Sequence, residues 1–177
     1  MLFGALVVWI KKISLPDVGI QWPMSSWSVG MALGLGFAPI LLFVGVAIIG
    51  QYPDASWISA GVDTWVTMAK KHPLDFLMLL IVAPIAEEFF FRGLVLQSIE
   101  EKKGIKAGIL FSALFFMAAH SNLWLGPLIL SLINGYMFWK SRSLVGPILL
   151  HMLSNTYGLL LLALPNQSAV WFEKLFL

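Results

Sequence analysis

The stretch LDFLMLLIVAPIAEEFFFRGLVLQ, residues 74–97, decides the fold class of this chain. It has the length of a membrane-spanning helix, which needs about 20 mostly apolar residues, yet Glu87, Glu88 and Arg92 lie near its middle. Ionisable side chains inside a bilayer cost about 3 kcal/mol each on insertion scales, so they are rare and usually mark a functional site. The stretch therefore predicts a transmembrane helix that carries a polar site within the bilayer.

The composition of the whole chain also favours a membrane protein. Of its 177 residues, 59% are hydrophobic and only 11% are charged, whereas a soluble domain has about 25% charged residues. The 8 Trp and 13 Phe fit a bilayer boundary, where aromatic side chains concentrate. A net charge of +2 without a long basic run indicates no nucleic-acid partner, and the absence of cysteine excludes disulfides, thiolate metal sites and cysteine nucleophiles.

Further apolar runs repeat the pattern of the first stretch along the chain. We predict helices over residues 27–49, 108–122, 123–139 and 144–164, with charged connections over residues 100–106 and 140–142. Residues 1–10 are expected to form a shortened first helix, and residues 57–68 an interfacial helix or part of another span. The predicted fold is all-α, a polytopic transmembrane helix bundle with a polar intramembrane cavity.

The two adjacent glutamates of the first stretch are expected to enter different environments. Glu88 and Arg92 are four residues apart, so they share one face of a helix and can form an ion pair. Glu87 is rotated by about 100° from Glu88 and can face a different partner, such as a substrate cavity. The alternative interpretation is an ion pair that only fixes helix packing, although a bundle can pack without buried charge.

Two histidines lie in separate predicted spans, each with a companion at helical spacing. His120 follows Phe116 by four residues, and its imidazole can act as a base, an acid or a metal ligand. His151 precedes Asn155 by four residues, so both side chains face the same way and can donate hydrogen bonds to an oxyanion. Each group alone also fits a plainer interpretation: an interfacial histidine for His120, and hydrogen bonding between helices for the other pair.

Three mechanisms compete for these residues. Glu87, His120 and His151 could bind zinc from three helices, although the usual His-Glu-x-x-His helix is absent. Ser121 and Ser154 lie near histidines in the sequence, but no nucleophile-elbow motif surrounds either serine. A metal-free mechanism needs a carboxylate and a histidine on one water, together with oxyanion donors, and the three groups supply each of these parts.

The motifs EEFFFR (87–92), FMAAH (116–120) and HMLSN (151–155) resemble, in this order, the three motifs of the CPBP family. This family comprises the type II CAAX prenyl endopeptidases and related bacteriocin-processing and immunity proteins, with the patterns Glu-Glu-x-x-x-Arg, Phe-x-x-x-His and His-x-x-x-Asn or Asp. Each pattern is weak alone, but the three together on separate predicted spans form a specific signal. The resemblance covers residues 74–164.

The resemblance implies a role for each of these side chains. Glu87 and His120 would hold and activate the attacking water, and His151 and Asn155 would stabilise the oxyanion of the tetrahedral intermediate. The Glu88–Arg92 pair would support the site. No cofactor is implied by this mechanism, and zinc at the glutamate and the two histidines is the alternative.

The function expected from the resemblance is an intramembrane endopeptidase with a multi-pass location in the cell membrane. Its partners would be the lipid bilayer and a peptide or protein substrate in or at the membrane; a prenylated C-terminus, a leader peptide and a signalling peptide are all open. The alternatives are a non-catalytic bacteriocin-immunity or scaffold protein that retains the motifs, and an ion-coupled transporter. The expected organisation is N-terminal membrane helices and an interfacial segment (1–73), a CPBP-like catalytic core (74–164) and a C-terminal tail (165–177).

Overall fold

The computed structural model describes residues 18–50, 67, 71–120 and 125–163 of the chain. In these ranges every regular element is helical and no strand occurs, which confirms the all-α prediction. The first helix predicted over residues 1–10 and the tail over 165–177 lie outside the described residues, as does the interfacial segment over 57–68 apart from residue 67.

The described elements are a long N-terminal helix, a composite helix and three further helices. The α-helices are α1 (Met24–Gly50), α2 (Pro73–Leu77), α3 (Ala83–Glu88), α4 (Gln97–Lys103), α5 (Ile105–Ala119), α6 (Leu125–Ser141) and α7 (Val145–Ala163). Two π-helical segments, π1 (Met78–Val82) and π2 (Phe89–Leu96), join α2, α3 and α4 without a break into the composite helix. Such π-helical turns within longer helices frequently occur at functional sites.

The charged connection predicted over residues 100–106 is wrong, because α4 and α5 are separated by a single residue. Gly104 forms the turn with a φ of 81°, a left-handed conformation that favours glycine. Glu100 lies in the first turn of α4 and Lys102 and Lys103 in its last turn, so the charges complement the helix dipole. The charged residues therefore extend a helix where their density had suggested a loop.

Close packing of small residues fixes α1 beside α7. A Cβ atom on Gly30 would lie 2.6 Å from the Cα atom of Gly146, so the two backbones meet where no side chain fits between them. The Ser26 hydroxyl accepts a hydrogen bond from the Gly146 N–H at 3.1 Å. These contacts fix the position of α7, the helix that carries His151.

Two buried apolar clusters pack α6 against both the composite helix and α7. Leu96, Phe138 and Leu144 form one cluster, and Leu130, Met137 and Leu150 form the other. Among the residues that the structure describes, no helix meets the combined length and apolarity needed to cross a membrane, and the polytopic arrangement remains a prediction.

Candidate active site

The ion pair predicted between Glu88 and Arg92 is present and fully buried. The Arg92 Nε atom lies 2.9 Å from Glu88 Oε2, and both side chains are 0% exposed. This contact is ionic rather than a well-directed hydrogen bond, because the Nε–H does not point at the oxygen. Arg92 also donates from Nη2 to the Ser131 carbonyl at 3.4 Å and lies 5.1 Å from the centre of the Phe116 ring.

The second oxygen of Glu88 connects the composite helix to α6 and α7. Glu88 Oε1 accepts a hydrogen bond from Asn134 Nδ2 at 2.9 Å and lies 2.9 Å from His151 Nδ1. An ionised carboxylate only accepts hydrogen bonds, so we assign the ring proton of His151 to Nδ1. This tautomer leaves Nε2 of the buried imidazole as a free acceptor.

His120 is the residue that follows α5, and its side chain lies in the site. Its Nδ1 lies 2.8 Å from the Phe116 carbonyl, which can only accept, so Nδ1 donates and Nε2 is again the free acceptor. The imidazole stacks on the Phe116 ring with centroids 4.3 Å apart. The same Phe116 ring contacts His151 edge-on at 5.5 Å, so one buried aromatic side chain positions both histidines.

Glu87 is the point on which both imidazoles converge. Its Oε2 atom lies 3.8 Å from Nε2 of His120 and 3.8 Å from Nε2 of His151. The atom is buried and has no hydrogen-bond partner within the described part of the chain. These gaps are too long for direct hydrogen bonds, and polar contacts of this length are commonly bridged by a water.

The two adjacent glutamates differ in the solvent exposure of their side chains. The side chain of Glu87 is 33% exposed and that of His120 36%, whereas Glu88 is 0% exposed and His151 only 3%. The pair formed by Glu87 and His120 can therefore meet water or a substrate from outside. The pair formed by Glu88 and His151 lies behind it, inside the protein.

Asn155, predicted as an oxyanion donor, lies one turn after His151 on α7. Its side-chain amide lies 3.5 Å from the Leu79 carbonyl in π1, a weak hydrogen bond, and the residue is partly buried. This contact ties α7 to the composite helix. The role of Asn155 toward an oxyanion stays a prediction.

One polar residue of the site lies outside the three sequence motifs. Asn134 lies in the middle of the apolar helix α6, and its amide donates directly to the Glu88 carboxylate on the composite helix. The signal available in the sequence was the cost of placing an asparagine in an apolar span, which predicts a partner without naming it.

The zinc alternative requires three donor side chains grouped around one point. In the described ranges, no group of three His, Cys, Asp or Glu residues is arranged to hold a metal ion. The absence of a cofactor stays a prediction, and zinc at Glu87, His120 and His151 stays the alternative to it.

A charged contact also joins the far ends of the composite helix and α6. Arg142 donates from Nη1 and Nη2 to the two carboxylate oxygens of Glu100 at 2.8 and 2.6 Å. These hydrogen bonds raise the pKa of Arg142. The contact lies at the surface and takes no part in the site.

Comparison with known proteins adds an independent line of evidence. The family described as type II CAAX prenyl endopeptidase Rce1-like matches residues 69–157, half of the chain. An uncharacterized 24.3 kDa protein of Escherichia coli is 30% identical over 169 aligned residues, which cover 86% of this chain and 70% of that protein. The membrane-embedded CAAX protease MroQ of Staphylococcus aureus is 28% identical over 136 residues, which cover 70% of this chain and 54% of MroQ. No solved structure gives a significant match.

Proposed function

This chain belongs to the Rce1-like family of type II CAAX prenyl endopeptidases, and on this premise we propose that it hydrolyses a peptide bond with a water activated by Glu87 and His120. The observation that carries the proposal is the position of Glu87 Oε2, which is buried, unpartnered in the described residues and 3.8 Å from Nε2 of both histidines. A carboxylate oxygen and two imidazole acceptors facing one point repel one another unless a donor lies between them. Water is the donor that a hydrolase requires there.

In the proposed reaction, Glu87 takes a proton from the water as the water oxygen bonds to the carbonyl carbon of the substrate. His120 holds the water through Nε2. Collapse of the tetrahedral intermediate breaks the C–N bond, and Glu87 returns the proton to the leaving nitrogen. The partial exposure of both side chains leaves room for a substrate carbonyl next to the water.

His151 is proposed to bind the oxyanion together with Asn155. The buried carboxylate of Glu88 on Nδ1 stabilises positive charge on the ring, as a triad carboxylate does for its histidine. With substrate bound, a second proton taken up from solvent on Nε2 turns this atom into a donor toward the oxyanion. It also balances the two carboxylates of the site, which otherwise face the single guanidinium of Arg92.

We place this reaction at the cell membrane, in a multi-pass protein. On α5 the side chains that face outward are apolar and exposed, namely Leu110, Phe111, Leu114 and Phe115. Ser112 on the inner face of the same helix is fully buried. Apolar surface outside and polar groups inside is the arrangement that lipid favours.

The substrate to test first is a C-terminal CAAX peptide that carries a prenyl group. The name of the family and the name of MroQ both refer to this class of peptide. The test compares a farnesylated peptide with the same peptide lacking the lipid, each incubated with the protein in proteoliposomes, and follows release of the C-terminal fragment. Cleavage of both peptides at similar kcat/KM would support the protease activity but remove the prenyl requirement.

The decisive variants are Glu87→Gln and His120→Ala. Both should abolish cleavage while the protein still inserts and keeps its melting temperature in detergent. The matched controls are Glu101→Gln and His72→Ala, which change exposed side chains outside the site and should retain full activity. Cleavage that persists in either decisive variant would refute the mechanism.

A non-catalytic scaffold is the second candidate. It is favoured by the fully buried Glu88–Arg92 pair, which can stabilise helix packing without any catalytic role. In a scaffold, however, Glu87 has no reason to keep an unpartnered buried oxygen. The two candidates therefore differ in the effect of Glu87→Gln on stability. Glu87→Gln should leave stability unchanged or raise it in an enzyme and should lower it in a scaffold.

A further inference from the structure

The geometry points to Asn134 as a positioning residue that holds Glu88 and His151 in register, an inference that rests on the proposed function. Asn134 is 0% exposed and lies on α6. It acts through other side chains, since the described contacts of its amide nitrogen are with Glu88 and with the α7 backbone.

Glu88 Oε1 is held by donors from two sides. This oxygen lies 2.9 Å from both His151 Nδ1 and Asn134 Nδ2, so donors from two different helices fix it. The other oxygen faces Arg92. Without the amide, the carboxylate can rotate about its terminal bond and lose the direction that holds the imidazole.

Asn134 also contacts the turn of α7 that precedes His151. Asn134 Nδ2 also lies 3.3 Å from the carbonyl of Pro147, four residues before His151. One amide group therefore contacts both the carboxylate that orients the imidazole and the backbone from which the imidazole projects. A change at this position alters the distance between Nε2 of His151 and Glu87.

A neutral amide suits this position better than a charged side chain. Asparagine donates without adding a charge to a cluster that already holds Glu87, Glu88 and Arg92. A lysine or an aspartate at this position would change the charge balance. The side chain therefore supplies a hydrogen bond to an ionised carboxylate at no electrostatic cost to the neighbouring catalytic pair.

The test combines histidine NMR with kinetics on the full chain. The chain has 3 histidines, so uniform labelling with ¹⁵N-histidine gives few signals, and single His→Ala variants assign them. We expect the wild-type imidazole of His151 to carry its proton on Nδ1. In Asn134→Ala we expect a mixture of tautomers, together with a loss of about 10- to 100-fold in kcat, as is typical when the hydrogen-bond partners behind a site are removed. KM should change by less than about twofold because Asn134 does not touch the substrate.

Asn134→Asp provides a second variant of equal size that lacks the amide donor. When the new carboxyl group is ionised it repels Glu88, and when it is protonated it can donate to Glu88 again. Its kcat relative to wild type should therefore rise as the pH falls, a change that a purely structural role would not produce. Ser112→Ala is the control, since Ser112 is equally buried and its hydroxyl has no partner in the described residues.

The readouts separate failure of this inference from failure of the proposed function. A pure Nδ1 tautomer with unchanged kcat in Asn134→Ala would overturn the positioning role. Unfolding of both Asn134 variants, with Ser112→Ala intact, would overturn it too by assigning Asn134 to packing alone. If the wild type cleaves no peptide, the proposed function fails, whereas a tautomer change in Asn134→Ala would still support the positioning of His151.

Discussion

Removing the charge of Arg92 should destabilise the protein strongly, and Arg92→Met is the substitution that tests it. Methionine fills much of the same volume but leaves Glu88 without its cation in a fully buried position. Glu88 then keeps only the hydrogen bonds from Asn134 and His151. An uncompensated buried carboxylate is expected to dominate the effect.

The magnitude follows from the 2.9 Å separation of the charged atoms. At an effective dielectric constant of about 20, two unit charges at this distance attract each other by about 6 kcal/mol. This sets an upper limit, because the remaining donors on Glu88 recover part of the loss. Breaking one side of a buried ion pair typically costs about 3–5 kcal/mol, and we expect Arg92→Met to fall in this range.

The assay is reversible unfolding in mixed detergent micelles, measured for Arg92→Met, Glu88→Gln and the double variant. In the double variant neither charge remains, so its loss of stability should be smaller than the sum of the two single losses by about 2–3 kcal/mol. The free energies of unfolding of the four proteins close a double-mutant cycle. Glu101→Gln, an exposed substitution on α4, should change stability by less than about 0.5 kcal/mol and serves as control.

Two results would refute the reasoning about this ion pair. If Arg92→Met lowered stability by less than about 1 kcal/mol, the guanidinium would not be what keeps Glu88 ionised in the interior. If the losses of the single variants simply added, the two side chains would contribute through packing and not through their charges.

Three further predictions concern packing, metal and membrane. Gly30→Ala should lower stability by about 1–3 kcal/mol, because the new Cβ would lie 2.6 Å from the Cα atom of Gly146. Gly36→Ala in the same helix meets nothing within 4 Å and should be neutral or stabilising, which makes it the control. Peptide cleavage should survive EDTA and 1,10-phenanthroline, and its loss with recovery on adding zinc would favour the metal alternative. Because the chain has no native cysteine, single cysteines can be mapped in intact membranes with an impermeant maleimide. Phe115→Cys should not react with the maleimide because the position faces lipid. Glu101→Cys should react once the reagent has access to the side of the membrane on which this residue lies.

The sequence was sufficient for the helical class of the fold and for the ion pair within one helix. The apolar run over 27–49 corresponds to α1 (Met24–Gly50), because helices of this kind are set by continuous apolar composition. The ion pair between Glu88 and Arg92 was predictable because four-residue spacing places side chains on one helix face. Nothing in the sequence indicated the π-helical segments on either side of α3, since they depend on how the composite helix meets its neighbours.

The contacts between helices could not be read from spacing. His120 follows the last residue of α5, so no helical period gives its direction; the Phe116 carbonyl and ring set it instead. The partner of Asn134 lies 46 positions earlier in the chain and depends on the packing of α6 against the composite helix. Composition and spacing therefore predict the motif residues as candidates for the site, and tertiary packing decides which atoms meet and adds Asn134.

Because Glu87 and Glu88 are adjacent, a single turn of helix fixes the position of the His151 ring relative to both carboxylates. The ring contacts Glu88 through Nδ1 at 2.9 Å and faces Glu87 through Nε2 at 3.8 Å, so its two nitrogens span consecutive residues of α3. Consecutive residues of a helix hold a nearly fixed relative geometry, because both are bound to the same rigid backbone. The distance between the proposed base and the proposed oxyanion donor is thereby set locally, and motions of α7 that keep the Glu88 hydrogen bond cannot change it much. An enzyme that must admit a substrate between helices can in this way open elsewhere without disassembling its catalytic groups.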